Sequence, residues 1–426
     1  MAGQNLHQKG EKTGLILRSA ILFVNFFLII TALYQLKPAS RSMILDAISV
    51  DGLPFVWIGS AMALLAFIAV YQQILKRFRR ERVVIGTALL FMTMLVAIRF
   101  LSDFSGKFSA IGFYVFVDIF GVVMVEQFWS LANGVYSTHE GKRWYGLIGA
   151  GGLAGGAVGS GLAALLIRYT PLRTPDLLLV AAGVIGVIVA LTVLMSRWGL
   201  YKESNGETST PLLRTDYGGA RKAWFGNRYM LLIAAALLMA QLISPLVEYL
   251  FMQTIEADYP LREARTAVLS VFFSSLSAVS IFINLVATPL LLRFFGLLPG
   301  LLAQPLVLAG TAIGFGASGS FPAAVIMKFA DRGLAYSLTR TSRELLYVPV
   351  DALLMYQAKA WIDMFGYRTF KMLGALFLLL VTQWTAVTAE ILSLPMIIVA
   401  ACVIWAGVLV VLYREYDLLQ LSPDAV

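Results

Sequence analysis

Apolar residues in this chain come in runs of about 20, separated by short polar knots that often carry lysine and arginine. About 20 apolar residues in a helix cross a hydrocarbon core of ~30 Å. The pattern predicts twelve spans, at about 14–36, 53–75, 82–101, 108–133, 143–167, 177–196, 228–252, 266–292, 296–317, 320–340, 368–388 and 391–413. The tenth is the weakest, because Lys328, Asp331 and Arg332 interrupt it. The fold class expected is an all-α polytopic membrane protein. The first run is long and has no clear small-residue cleavage site, so it reads as a span and not as a cleaved leader.

Two polar segments organise these runs. Tyr201 to Arg228 separates six spans from six, and its Gly, Ser, Thr and Pro content predicts a flexible linker. The expected organisation is an N-terminal six-helix half over 1–200, a cytoplasmic linker over 201–227 and a C-terminal six-helix half over 228–426. The second segment, Thr339 to Arg368, has apolar residues at helical spacing: Leu345, Val348, Ala352 and Met355. It predicts an amphipathic surface helix at about 341–365. Six spans, a linker and six spans is the plan of the major facilitator fold, in which solute sits near the midplane between the halves.

Composition agrees: 59% of residues are hydrophobic and 13% charged, against about 25% charged in soluble domains. Mean hydropathy is +0.81. The net charge of +9 would suggest a nucleic-acid partner in a soluble protein. Here the basic residues cluster in alternate loops. They follow span two (Lys76 to Arg82), span four (Lys142, Arg143), span six, and span ten (Arg340, Arg343, Lys359, Arg368, Lys371). By the positive-inside rule both termini face the cytoplasm across an inner membrane. The charge is topology signal, the partner it implies is the bilayer, and a monomer is expected. The single cysteine, Cys402, lies in the last run and can form no internal disulfide, so an inert buried thiol is expected. With two histidines, His7 and His139, no metal centre and no Ser-His-Asp or Cys-His constellation is available. Neither a cofactor nor an enzyme activity is expected.

In such a fold the first helix of each three-helix unit lines the central cavity. Those are spans one, four, seven and ten, and each carries ionisable groups: Lys37 and Arg41; Asp118 and Glu126; Glu248; and Lys328, Asp331 and Arg332. A charge at the bilayer centre costs about 2.5–3.5 kcal/mol on insertion scales, so such residues face protein or water and mark function. Structural alternatives stand beside that reading. Lys37 and Arg41 at the end of span one would snorkel to the interface. Lys328, Asp331 and Arg332, spaced i, i+3, i+4, would neutralise one another. Glu126 and Glu248 have no cation one turn away in their own helices. Each pairs across helices, meets a cationic part of a ligand, or stays protonated, which keeps a coupling ion or proton open.

One run is unusual: Gly151, Gly155 and Gly159, with Gly152 and Gly156 on the neighbouring stripe. The small-xxx-small spacing predicts close helix packing. The other reading is bare backbone lining a solute path.

The segment "FWSLANGVYSTHEGKRWYGLIGAGGLAGGAVGSG" resembles the stretch joining the fourth and fifth helices of the ATP/ADP translocase family. The shared features are Phe128–Trp129, Ala132–Asn133, Glu140, Lys142–Arg143, Tyr145, Gly149 and Gly151. A second segment is similar as well, through Tyr336 to Leu338, Arg343–Glu344–Leu345, Tyr347, Pro349, Lys359–Ala360, Ile362–Asp363 and Arg368. The resemblance implies a major-facilitator-like transporter of a small anionic solute, nucleotide-like or otherwise phosphorylated. It maps the family's functional lysine of helix one onto Lys37, its acidic residues of helices four and seven onto Glu126 and Glu248, and a later lysine onto Arg343. Asn133 joins the candidates by the same resemblance. The sequence departs from the family in having "RTSREL", with Ser342 for threonine and Arg343 for lysine, and in being shorter. An exporter or flippase of an amphiphile, and a non-transporting scaffold or receptor, are the competing readings.

Overall fold

The computed structural model of the chain describes residues 2–77, 80–101, 106–136, 138–198, 227–350, 366–387 and 393–421, and all its regular structure is helical. The expected linker up to residue 226 and most of the expected amphipathic segment, 351–365, lie outside these residues.

Six long helices come first: α1 (Ala2–Ile48), α2 (Leu53–Arg77), α3 (Arg80–Leu101), α4 (Lys107–Val135), α5 (Thr138–Tyr169) and α6 (Leu177–Arg197). Eight further helices follow: α7 (Arg228–Asp258), α8 (Arg262–Phe282), α9 (Thr288–Phe295), α10 (Leu297–Ser318), α11 (Phe321–Ala335), α12 (Leu338–Leu346), α13 (Tyr367–Val387) and α14 (Leu394–Leu421). Among the described residues, ten stretches are long and apolar enough to cross a bilayer. Expected spans ten and eleven are not among them: α11 has 15 residues, and α13 over expected span eleven does not count as one of the ten.

Local chemistry sets several helix ends. The Asn227 side chain accepts from the backbone N–H of Tyr229 at 2.9 Å and of Met230 at 3.3 Å, capping α7. Gly319, at φ 58°, ends α10 in the left-handed conformation. Pro289 has no N–H for the carbonyl four residues back, and the five residues Ile283–Ala287 before α9 form a π-turn around Asn284.

The chain forms two compact units. One gathers Met1–Ser49, Met62–Thr210 and Pro260–Ala278; the other gathers Val50–Ala61, Pro211–Tyr259 and Val279–Val426.

In the first unit, Leu22, Phe26, Phe91, Phe120, Phe128 and Ile185 belong to one buried core. Phe26 stacks on Phe128 with ring centroids 4.6 Å apart. The glycines answer to α1. A Cβ on Gly151 would lie 2.9 Å from the Phe23 carbonyl oxygen, and Cβ atoms on Gly155 and Gly159 would collide with the carbonyls of Phe27 and Thr31. These three partners are spaced by four, so one glycine stripe lies along one backbone stripe of α1, with both helices running the same way. The second stripe meets side chains: Gly152 meets the Phe26 ring and Gly156 meets Ser277 of α8. All five glycines are buried, which fits close packing and rules out the reading in which they line a solute path.

Expected span one stops at residue 36, yet α1 continues to Ile48 through Pro38. Proline removes the N–H that would bond the carbonyl of Tyr34. Ser160 of α5 donates to that carbonyl instead, at 3.0 Å. Lys37 and Arg41 therefore lie inside the helix, about three and two turns before its end, and not beyond it.

The second unit repeats the device. Pro245 in α7 frees the Gln241 carbonyl, and Gly374 of α13 is packed so tightly on that oxygen that a Cβ there would collide with it.

Candidate solute-binding site

The second unit holds a cavity of about 240 Å³ among α7, α10, α11, α12, α13 and α14. Its charged lining is Asp331 and Arg332 from α11 with Arg340 and Arg343 from α12. The break between those two helices brings the four together. Tyr336 and Ser337 turn the chain, and the Ser337 hydroxyl donates to the Gly333 carbonyl at 2.6 Å. A single helix over 320–340, as expected from the sequence, would have carried Arg340 and Arg343 onward along the α11 axis. Tyr229 holds α12 in place, its hydroxyl donating to the Leu346 carbonyl at 2.6 Å.

Behind the cavity lies a dense charge cluster. Lys328 Nζ is 2.8 Å from Glu248 Oε2 and 2.6 Å from Asp331 Oδ2. The lysine side chain is 2% exposed and that of Asp331 4%. Asp331 also accepts from the Ser244 hydroxyl at 2.9 Å and lies 3.3 Å from Arg332 Nε. Gln304 Nε2 donates to the Asp331 backbone carbonyl at 2.9 Å. Two cations and two carboxylates thus balance in a buried place, where an uncompensated charge would be costly. Glu248 has found its cation on another helix, one of the outcomes its sequence context left open. Arg332 meets Asp331 through Nε and belongs to the cavity lining. Arginine presents several donors in a planar fork that suits phosphate or carboxylate.

The remaining wall is apolar and aromatic, with Leu237, Leu301, Leu409, Tyr336, Tyr367 and Trp405. The sequence pattern did not single out Tyr367, Trp405 or Ser244, and it took Arg340 for topology signal alone. The i, i+3 spacing of Arg340 and Arg343 was the available clue.

The other candidates belong to the first unit. Lys37 and Arg41 are half-buried on α1, with Lys37 Nζ 4.8 Å from the centroid of the Tyr34 ring. Glu126 and Asn133 sit on one face of α4, and both are exposed, so Glu126 is not the deeply buried carboxylate that its place in the run suggested. Glu140, Lys142, Arg143, Lys359 and Asp363 are matches of the resemblance whose side chains lie outside the description. In the expected amphipathic helix, the described part differs from the pattern. Its buried positions are Leu338, Ser342 and Leu346, while Leu345 and Val348 are exposed and the helix ends at Leu346.

Apolar membrane-length helices that carry internal prolines and pack on glycine, with a charge-lined cavity in the second unit, define a polytopic helical membrane protein. Solved structures agree on the fold. The nucleoside transporter NupG aligns with 95% of this chain and 99% of its own at TM-score 0.61 and 14% identity. The POT family transporter PepTSo aligns with 94% and 98% at 0.65 and 12%, and a D-xylose-proton symporter with 92% and 96% at 0.60 and 12%. The architecture is that of the major facilitator transporters. The TLC ATP/ADP transporter family model matches residues 96–330 and 319–416, and the chain belongs to that family. Among curated relatives, the ADP,ATP carrier protein 1 of Rickettsia bellii is 25% identical over 313 residues, covering 64% of this chain and 61% of the carrier. That of Chlamydia trachomatis is 25% identical over 300 residues, covering 62% and 57%. The chain thus spans about three fifths of the length of these carriers.

Proposed function

We propose that the chain is a secondary active transporter of the inner membrane that moves an anionic solute, of nucleotide or other phosphorylated type, by alternating access between two six-helix halves. The observation that carries this reading is the convergence of Arg332, Arg340 and Arg343 on one cavity, where Glu248, Asp331, Lys328 and Arg332 balance to zero and Arg340 and Arg343 leave the lining net positive. Three guanidinium groups against one lining carboxylate favour an anion, and the aromatic wall suits a planar or sugar-like body. The relatives named as ADP,ATP carriers support the nucleotide class. Lys37 and Arg41, on the first unit, are solute contacts of their own in this reading, and both termini with residues 201–227 face the cytoplasm. Exchange of one anion for another is the form of coupling most consistent with the relatives' names.

Uptake into proteoliposomes tests this. Labelled ATP, ADP and AMP are compared with sugar phosphates, dicarboxylates and a fluorescent anionic lipid. Saturable uptake of a phosphorylated solute, lost in Arg343→Gln, is the expected result. Selective movement of the lipid would replace the reading with a flippase, for which the apolar wall is the supporting observation.

A further inference from the structure

Buried polar atoms in proteins are almost always hydrogen-bonded, so one that is not asks for a reason. Three residues lining the cavity of the second unit carry such an atom. Gln304 Oε1, Trp405 Nε1 and Thr339 Oγ1 are buried and have no hydrogen-bond partner among the described residues. Gln304 and Trp405 are 3% and 2% exposed. The Gln304 carboxamide is fixed in its sense. Its Nε2 donates to the Asp331 backbone carbonyl, which can only accept, so Oε1 is the atom left over.

The three atoms differ in what they ask of a solute. An indole N–H donates and a hydroxyl does either, so a phosphate or carboxylate oxygen satisfies both. Arg332, Arg340 and Arg343 of the same lining also only donate. The carboxamide oxygen of Gln304 only accepts. No fully ionised anion has a proton for it, whereas an O–H or N–H on the solute does. An ammonium group would face three guanidinium groups, so a hydroxyl fits better, with lone pairs to spare for the Trp405 N–H or the Thr339 hydroxyl. The cavity of about 240 Å³ is smaller than the roughly 300–1,000 Å³ that hold whole drug-sized ligands. It suits a phosphate and the few atoms beside it.

We propose that Gln304 is a specificity-determining residue: its Oε1 accepts from a hydroxyl carried close to the phosphate. The cavity thereby selects a hydroxylated organic phosphate, such as the sugar phosphate part of a nucleotide, over inorganic phosphate, pyrophosphate or a dicarboxylate. This rests on the reading of the cavity as the anion site. Leaving a buried acceptor unpaired is costly, and a site that hydrogen-bonds a hydroxyl rejects the analogue that lacks it.

The test compares glycerol 3-phosphate with propyl phosphate, two probes of equal charge and equal carbon skeleton that differ in their hydroxyls. Binding to the purified full chain in detergent is measured by titration calorimetry. The apolar wall by itself favours propyl phosphate, so the opposite preference has to come from polar contacts. The wild type should bind glycerol 3-phosphate about tenfold more tightly. Gln304→Met, apolar and of similar length, is first checked for a single melting transition. It should erase the preference by weakening glycerol 3-phosphate alone. Equal or tighter binding of propyl phosphate by the wild type overturns the proposal, and that comparison decides even where Gln304→Met does not fold. An unchanged preference in Gln304→Met overturns it too, and a parallel fall of both affinities marks a packing role. Arg343→Gln separates the two levels, since it should weaken both probes alike. If it weakens neither, the cavity is not the anion site, whatever Gln304 does. If it weakens both while Gln304→Met keeps the preference, only the hydroxyl selection falls. A wild type that binds neither probe overturns both.

Discussion

At the scale of residues, the decisive fact is charge balance around Lys328. Replacing Lys328 by methionine removes the cation that bridges Glu248 and Asp331 and leaves Arg332 beside Asp331. Removing one partner of a buried pair costs about 3–5 kcal/mol, because the remaining charge is stranded. Lys328→Met should therefore lower the melting temperature sharply, whereas Lys328→Met with Glu248→Gln leaves the Asp331–Arg332 pair and should recover most of it. Thermal unfolding in detergent reads this directly, and a double variant no better than the single would mean that the cluster is not held by charge balance. Arg343 gives the second prediction at this scale. If it grips an oxyanion with two N–H groups, Arg343→Lys keeps the charge but loses the fork. Arg343→Lys should weaken phosphate-solute affinity by roughly tenfold, about 1.4 kcal/mol. A competition assay in proteoliposomes checks it, and wild-type affinity in the lysine variant would make Arg343 a plain point charge.

Between elements, α1 and α5 are joined backbone to backbone. Gly155→Ala places a methyl group on the Phe27 carbonyl and should destabilise the pair, whereas Gly183→Ala on α6, where nothing lies within 4 Å, should be neutral or slightly stabilising. Equal melting temperatures for the two would mean that the glycine stripe does not set the approach. The Pro38–Ser160 arrangement gives a sharper test. Ser160→Ala leaves the Tyr34 carbonyl without its donor and should cost about 1–3 kcal/mol. In a Pro38→Ala background the helix supplies its own N–H, so the same Ser160→Ala change should cost far less. A double-mutant cycle on thermal stability measures the coupling, and additive effects would refute the compensation.

For the molecule as a whole, the pairing of a proline in one helix with a close-packed partner recurs: Pro38 with α5 and Pro245 with α13. Similar local solutions in the two units fit a duplicated plan. Orientation is predicted at this scale too. In a Cys402→Ala background, a cysteine at position 205 should react with an impermeant thiol reagent in inside-out vesicles and not in intact cells. Labelling from outside intact cells would reverse the proposed topology.

The sequence by itself determined the class and much of the helix inventory, because crossing hydrocarbon demands long apolar runs with satisfied backbones, and that demand is written in composition and length. It also exposed the glycine stripes, for which close packing was one of two readings, and it nominated Lys328, Asp331 and Arg332 by their charge in an apolar setting and Arg343 by the family resemblance. It misplaced the end of α1 because Pro38 and Lys37 look like a stop. Only the fold shows that a serine from another helix takes up the carbonyl left by the proline. It drew a single tenth span because local spacing cannot show the turn at Tyr336 and Ser337 that swings Arg340 and Arg343 to the cavity. Tertiary structure alone assigned Glu248 to Lys328, and alone tied Gln304 to the Asp331 carbonyl. Those partners sit on other helices, and a charge in a one-dimensional string says that it needs a partner without saying which one it will meet.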